Sequence, residues 1–359
     1  MSSTPMTPVA EALRLILGAA VAPTAAESVP LLRAAGRTLA RDLPALRTQP
    51  PCAVSAMDGY AVRAADIAAA PATLDVVGES AAGRPFAGEV GPGRAARIFT
   101  GAPVPPGADA VVIQENTEAA AGRVRVLRAE ASGRHIRRAG QDFREGEVLL
   151  AKGTRLGAAG VALAAAMNHA SLPVFRRPRV AVLATGDELV QPGGRPDGSQ
   201  IVASNSFALM VLAETAGAEV VDLGIARDDL ASLAACFARA RAAGADLLVT
   251  LGGASVGDHD LVQRALLAEG MDLGFWRVAM RPGKPLMHGR LGPMQVLGLP
   301  GNPVSAIVCG VLFVRPLIRA LCGDRHAGDD PSEAAVLAAP MAANDGRQDY
   351  VRGRIVTSG

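Results

Sequence analysis

Between residues 179 and 321, three short apolar runs each end in a compact loop rich in Gly, Pro and Asp, and each loop leads into a helical pattern. This feature restricts the fold most. The runs are 180–184, 246–251 and 295–299, and the loops are 185–188, 252–260 and 300–303. Short apolar runs alternating with helices predict parallel strands with both faces covered. In such open α/β sheets ligands bind beyond the carboxyl ends of the strands, where these loops would gather.

The rest of the chain is read against this rim. Thr7-Pro8 predicts a hydroxyl-capped helix start, and a second helical stretch is expected over 31–39. Pro44 and Pro50-Pro51 place a boundary near residue 48. From 49 to 133, short β-like runs between Gly/Pro turns predict a small β-rich domain, and 156–168 predicts a helix. The expected organisation is a helical segment 1–48 continued by 134–178, the β-rich domain 49–133 inserted in it, an α/β domain 179–326, and a partial C-terminal β domain 327–359. Within the α/β domain the order is strand 180–184, helix 206–216, strand 219–225, helix 228–243, strand 246–251, helix 259–269, strands 275–280 and 295–299, and helix 303–321. Asn302-Pro303 should open that last helix and Pro316 should kink it. Further strands are expected over 335–340 and 349–356.

Composition excludes several classes. A formal net charge of +2 over 359 residues gives no electrostatic footprint for nucleic acid. The four cysteines form no C-x-x-C pair, which argues against a zinc site or a disulfide framework and points to a reducing, cytoplasmic setting. Cys236 and Cys309 read as small buried apolar groups. No secretory signal is visible, and no uncharged apolar run is long enough to span a membrane.

The loops carry the chemistry. Gly252, Gly253, Ser255 and Gly257 precede a helix, so their amides can cradle a phosphate or pyrophosphate, although Asp258 capping that helix is the plainer alternative. The pattern is neither G-x-G-x-x-G nor a Walker A sequence. Asp187 and Glu188 end one strand, and Asp258 and Asp260 belong to a neighbouring loop. Carboxylates beside a phosphate seat suit Mg²⁺, an oxygen-seeking ion; singly, each acid could equally be a cap or a solvated charge. Arg281 and Lys284 put two cations on a stiff Pro-Gly turn, fit to neutralise an oxyanion. The five histidines show no metal spacing, and no G-x-S-x-G elbow is present. The residues alone reach no further than an anionic, phosphorylated ligand.

Taken together, Met57-Asp-Gly-Tyr-Ala61, Thr100-Gly-Ala-Pro-Val-Pro105, Arg137-Arg-Ala-Gly-Gln-Asp142, Thr185-Gly-Asp-Glu-Leu189, Gly252-Gly-Ala-Ser-Val-Gly-Asp258, Pro282-Gly-Lys-Pro285 and Leu299-Pro-Gly-Asn-Pro-Val-Ser305 resemble, in this order, the molybdopterin molybdenumtransferase (MoeA) family, which includes the gephyrin E domain. The resemblance covers essentially the whole chain. It implies a three-layer α/β molybdopterin-binding domain, an elongated helical segment carrying the β-rich insertion, and a C-terminal β-barrel, truncated here because relatives continue for several strands beyond Gly359. It also implies a homodimer with an active site shared between subunits, and a reaction in which adenylylated molybdopterin, molybdate and Mg²⁺ yield molybdenum cofactor and AMP. By motif match, Asp58, Thr100 and Asp142 would face the partner. Asp187, Glu188, Asp258 and Asp260 would line the α/β rim, with Asp187, Glu188 and Asp260 as the metal ligands. Lys284, Pro300, Asn302 and Pro303 would belong to the cofactor-side loops, and Arg281 stands where many relatives carry Lys. Two rival readings are the related molybdopterin adenylyltransferase, which lacks the 57–142 region and is also a conceivable partner, and a non-catalytic molybdopterin-binding scaffold.

Overall fold

The computed structural model describes residues 6–20, 25–252, 261–342, 344 and 346–356. The chain divides into two compact units. One comprises residues 42–150 and 159–170; the other comprises 1–41, 151–158 and 171–359.

The smaller unit is built on a six-stranded sheet in the order Ala110–Ile113, Gly59–Val62, Arg94–Ile98, Ala72–Ser80, Arg123–Val126, Thr117–Ala120. Its neighbours are antiparallel except for the parallel pair Ala72–Ser80 and Arg94–Ile98. Alternation along the strands divides the apolar residues between two faces. Tyr60, Val62, Leu74, Val112 and Val124 pack on one, and Ala61, Ile98 and Val111 on the other. The helix Ala158–Ala166 confirms the apolar Ala-rich run at 156–168 with tighter ends.

The larger unit holds a second six-stranded sheet in the order Glu219–Ala226, Arg179–Thr185, Leu247–Leu251, Met294–Leu299, Met287–Leu291, Asp272–Trp276. The first four strands are parallel and the last two join antiparallel. The Arg179–Thr185 and Leu247–Leu251 strands are buried almost throughout, as expected of strands covered on both faces. On one face Ile16, Leu209, Phe313 and Leu317 pack against Val180, Val182 and Leu297. On the other, Leu233, Phe237, Val262 and Leu266 pack against Ala181, Leu183 and Leu248. Fully burying each such side chain contributes about 1.5–3 kcal/mol. Cys236 and Cys309 are buried apolar groups, and burial pushes the Cys309 thiol up to about 12.

Several local expectations are corrected. The stretch 31–39 is no helix beyond one 3₁₀ turn, Leu31–Arg33. Gly36 has φ 75°, and the backbone of residues 36–40 bonds instead to Thr154, Leu156 and Pro173. Thr7 does not cap its helix; it bridges to Val278, while Pro8 precedes the first turn. The strand expected over 275–280 lies at Asp272–Trp276, and Met287–Leu291 is an additional strand. Residues 335–340 form no strand, and of 349–356 only Asp349 does, in the pair Gln348–Asp349 beside Met280–Arg281. The 303–321 stretch is interrupted by a π turn, Gly310–Val314, shortly ahead of Pro316. It is long and apolar enough to cross a membrane by composition, yet Phe313, Leu317, Ile318 and Leu321 are buried in the core.

Candidate active site

The four parallel strands end at Thr185, Ala226, Leu251 and Leu299, and these ends, with Gly186 and Gly252 just beyond them, meet at one edge of the sheet. Gly186 N donates to Ala226 O, Gly252 N to Leu299 O, and Thr185 Oγ1 to Leu251 O. From the Arg179–Thr185 strand the chain passes outward to Glu219–Ala226 and then back across to Leu247–Leu251 on the other side, so the switch point lies between Thr185 and Leu251. A cleft of about 160 Å³ opens there, bordered by Thr185, Glu188, Asn205, Gly252, Gly301 and Pro303.

Glycine makes this approach possible. A Cβ on Gly252 (φ 90°) would lie 2.7 Å from Thr185 O, and one on Gly301 would touch the Cα of Gly252. At Gly186, a Cβ would strike the Glu188 carboxylate, which folds back over the turn. Asn302 accepts from Val304 N and Ser305 N at 3.1 and 3.2 Å, so it caps the Pro303–Cys309 helix as its sequence position predicts. Asn205 Nδ2 donates to Gly301 O at 2.7 Å and ties the Asn205–Ala216 helix to the same turn.

Of the acids, Glu188 lines the cleft. Asp187 accepts from Asp228 N at 3.3 Å. Asp228, which opens the stretch expected as a helix over 228–243, is a further acid at this edge. Burial raises its carboxyl above the ordinary range, and the charges of Asp187 and Glu188 push the same way. Its place after the Glu219–Ala226 strand was the signal that could have found it. Among the described residues no three His, Cys, Asp or Glu side chains are gathered as a metal cage. The oxygen-only donor set nevertheless fits Mg²⁺ in kind, since that ion keeps several waters and shares its ligands with substrate phosphates. Gly253, Ser255, Gly257, Asp258 and Asp260 lie outside the described residues.

The two cations stand differently. Arg281 is not on the cleft; its guanidinium meets Asp349 through Nε at 3.1 Å and Nη2 at 2.7 Å. Lys284 is half-buried and does not line the cleft, but its turn packs on the Pro303–Cys309 helix, with Gly283 against Cys309. Pro300 is buried at the end of its strand.

In the smaller unit, Gly59 pairs with Ile98 across antiparallel strands, which brings Asp58 and Thr100 together at the strand ends. Asp58 Oδ1 accepts from Thr100 N at 2.7 Å and from Thr100 Oγ1 at 2.8 Å. These bonds, with Arg97 nearby, hold the Asp58 carboxyl below its usual range. A Cβ on Gly59 would overlap Val112 O, so glycine is sterically required beside Asp58. Asp142 is paired with Arg137 at 2.6 Å.

Comparison with known proteins gives concordant results. Residues 7–168 match the MoeA N-terminal region (domain I and II), and residues 181–320 match a family described as "Probable molybdopterin binding domain". The chain is 39% identical to the molybdopterin molybdenumtransferase of Haemophilus influenzae, over 92% of this chain and 81% of that one. It is 40% identical to molybdopterin molybdenumtransferase 2 of Mycobacterium tuberculosis, over 90% of this chain and 82% of that one. A crystal structure of the molybdopterin biosynthesis moeA protein from Pyrococcus horikoshii superimposes with a TM-score of 0.78 at 31% identity, covering 90% of this chain and 81% of that one.

Proposed function

The chain belongs to the molybdopterin molybdenumtransferase family, and from that premise we propose that it inserts molybdenum into adenylylated molybdopterin, releasing AMP. The observation that carries this reading is the meeting of Thr185, Gly252 and Gly301, at the ends of three parallel strands, on one cleft that Glu188 also lines. The cleft bordered by Gly252 and Gly301 would take the phosphorylated end of the substrate, and the glycine-rich segment 252–257 is the proposed phosphate seat. Asp187, Glu188 and Asp228, with Asp260, are the carboxylates that would hold Mg²⁺. When bound, that ion supplies charge neutralisation as the phosphoanhydride is cleaved.

The chain's own residues do the positioning. Asn205 and Asn302 fix the turn 300–303 that borders the cleft. Lys284 is the cation available to offset molybdate, which bare carboxylates would repel; Arg281 is engaged by Asp349. Asp58, kept ionised by Thr100, and Asp142 are proposed to complete the site of a second copy in a homodimer. Molybdopterin adenylyltransferase activity is the weaker alternative, because the MoeA N-terminal match spans residues 7–168, a region that reading does not need. Incubating the purified protein with adenylylated molybdopterin, Mg²⁺ and molybdate should release AMP together with molybdenum cofactor; a folded sample that releases none overturns the proposal.

A further inference from the structure

The helix Asn205–Ala216 has the cleft at its first turn, where Ser204, Asn205 and Ser206 border it. At its last turn lies a separate cavity of about 470 Å³, lined by Arg155, Thr215, Arg315 and Arg319 together with Leu212 and Pro331. A helix of that length separates the two by about 18 Å. No acidic side chain lines the second cavity among the described residues.

The charges around it do not balance. Arg155 Nη2 donates to Thr215 O at 2.8 Å, serving a carbonyl of the helix's last turn. Arg319 is bonded through Nε and Nη2 to the buried Asp324 carboxylate, at 2.8 and 2.7 Å. Arg315 has no ion pair or side-chain hydrogen bond among the described residues, although it stands one turn from Arg319 on the same helical face. It also borders a neighbouring groove shared with Asp329 and Asp330, neither of which pairs with it; they accept from His326 and from Ser332 N. The helix C-terminus supplies roughly half a negative charge, and Asp324 one more. Counting the cavity's own lining and the groups bonded directly to it, three guanidiniums leave a surplus of more than one positive charge. Guanidinium forks match the oxygens of a tetrahedral oxyanion, and a dianion would remove their mutual repulsion.

We propose that the Arg155–Arg315–Arg319 cavity is a binding site for a tetrahedral oxyanion of the phosphate, sulfate or molybdate class, distinct from the cleft. This inference does not depend on the proposed reaction. The test is calorimetric titration of inorganic phosphate into the full chain at low salt, for the wild type, Arg315→Gln, Arg315→Glu and Lys284→Gln. The expected result is phosphate affinity weakened about tenfold in Arg315→Gln and abolished in Arg315→Glu, with the site kept in Lys284→Gln. Sulfate and molybdate should compete for it, whereas chloride at matched ionic strength should not. Tighter binding of molybdate than of phosphate assigns the site to the molybdenum-bearing anion; the reverse assigns it to phosphate. A wild type that binds no phosphate, or Arg315 variants that bind it as the wild type does, overturns the proposal. Should the variants fail to fold, phosphate protection of Arg155, Arg315 and Arg319 from phenylglyoxal in the wild type decides the question: protection supports the site and its absence refutes it.

Discussion

At the residue scale, the cleft depends on atoms that glycine lacks and on charges that neighbours shift. Gly252→Ala would drive a methyl against Thr185 O in a left-handed backbone. We expect a loss of about 1–3 kcal/mol, visible in denaturant unfolding, together with loss of AMP release. Asp228 is a more discriminating probe. Its folded carboxyl titrates above the unfolded one, so the native state binds the extra proton and is favoured as pH falls through that raised value. The ionised form at neutral pH is therefore a destabilising element. Asp228→Asn should raise the melting temperature at pH 7, the gain should vanish in acid, and turnover should drop by about 100-fold. A variant that lost both stability and activity would argue for a merely structural role. Asp58 behaves oppositely. Its carboxyl is held low by Thr100, so its contribution is present above the unfolded carboxylate range and fades only as pH falls through the lower folded value. Thr100→Val should move that loss to higher pH, measurable by following the Asp58 carboxyl carbon by NMR.

At the element scale, the Pro303–Cys309 helix shows how a local signal survives into the fold. Asn302 and Pro303 satisfy the orphan amides of its first turn without help from elsewhere. Asn302→Ala should cost about 1 kcal/mol in denaturant unfolding, and it should also loosen the 300–303 turn that Asn205 holds through Gly301 O. The stretch 31–39 shows the converse. Its apolar spacing suits a helix, but its backbone groups are claimed by residues 154–156 and 173. Distant partners of this kind leave no trace in a local pattern. Nor does the shift of the 275–280 strand to Asp272–Trp276, which is set by pairing with Met287–Leu291.

At the scale of the whole molecule, the proposed sharing of one site between two copies has a quantitative consequence. Mixing inactive Asp58→Ala protein with inactive Glu188→Ala protein, after subunit exchange, should restore about a quarter of wild-type AMP release, since half the dimers are mixed and each has one intact site. Complementation of zero, with mixed dimers demonstrated by mass, would place both residues in one subunit's site. Light scattering should report twice the 36.6 kDa chain mass.

The strand–loop–helix rhythm of residues 179–321 was legible because burial on both faces demands unbroken apolar runs, and because Gly, Asn and Pro act on their immediate neighbours. Those local forces marked the strand ends that gather at one sheet edge, and the ordered motifs determined the family. They could not show that Asp228 joins Asp187 and Glu188, that Asp349 takes the charge of Arg281, or that three arginines from separate segments line one cavity. Each of these is a meeting between residues far apart in the chain, and only the folded packing decides which side chains end up close enough for their charges to matter.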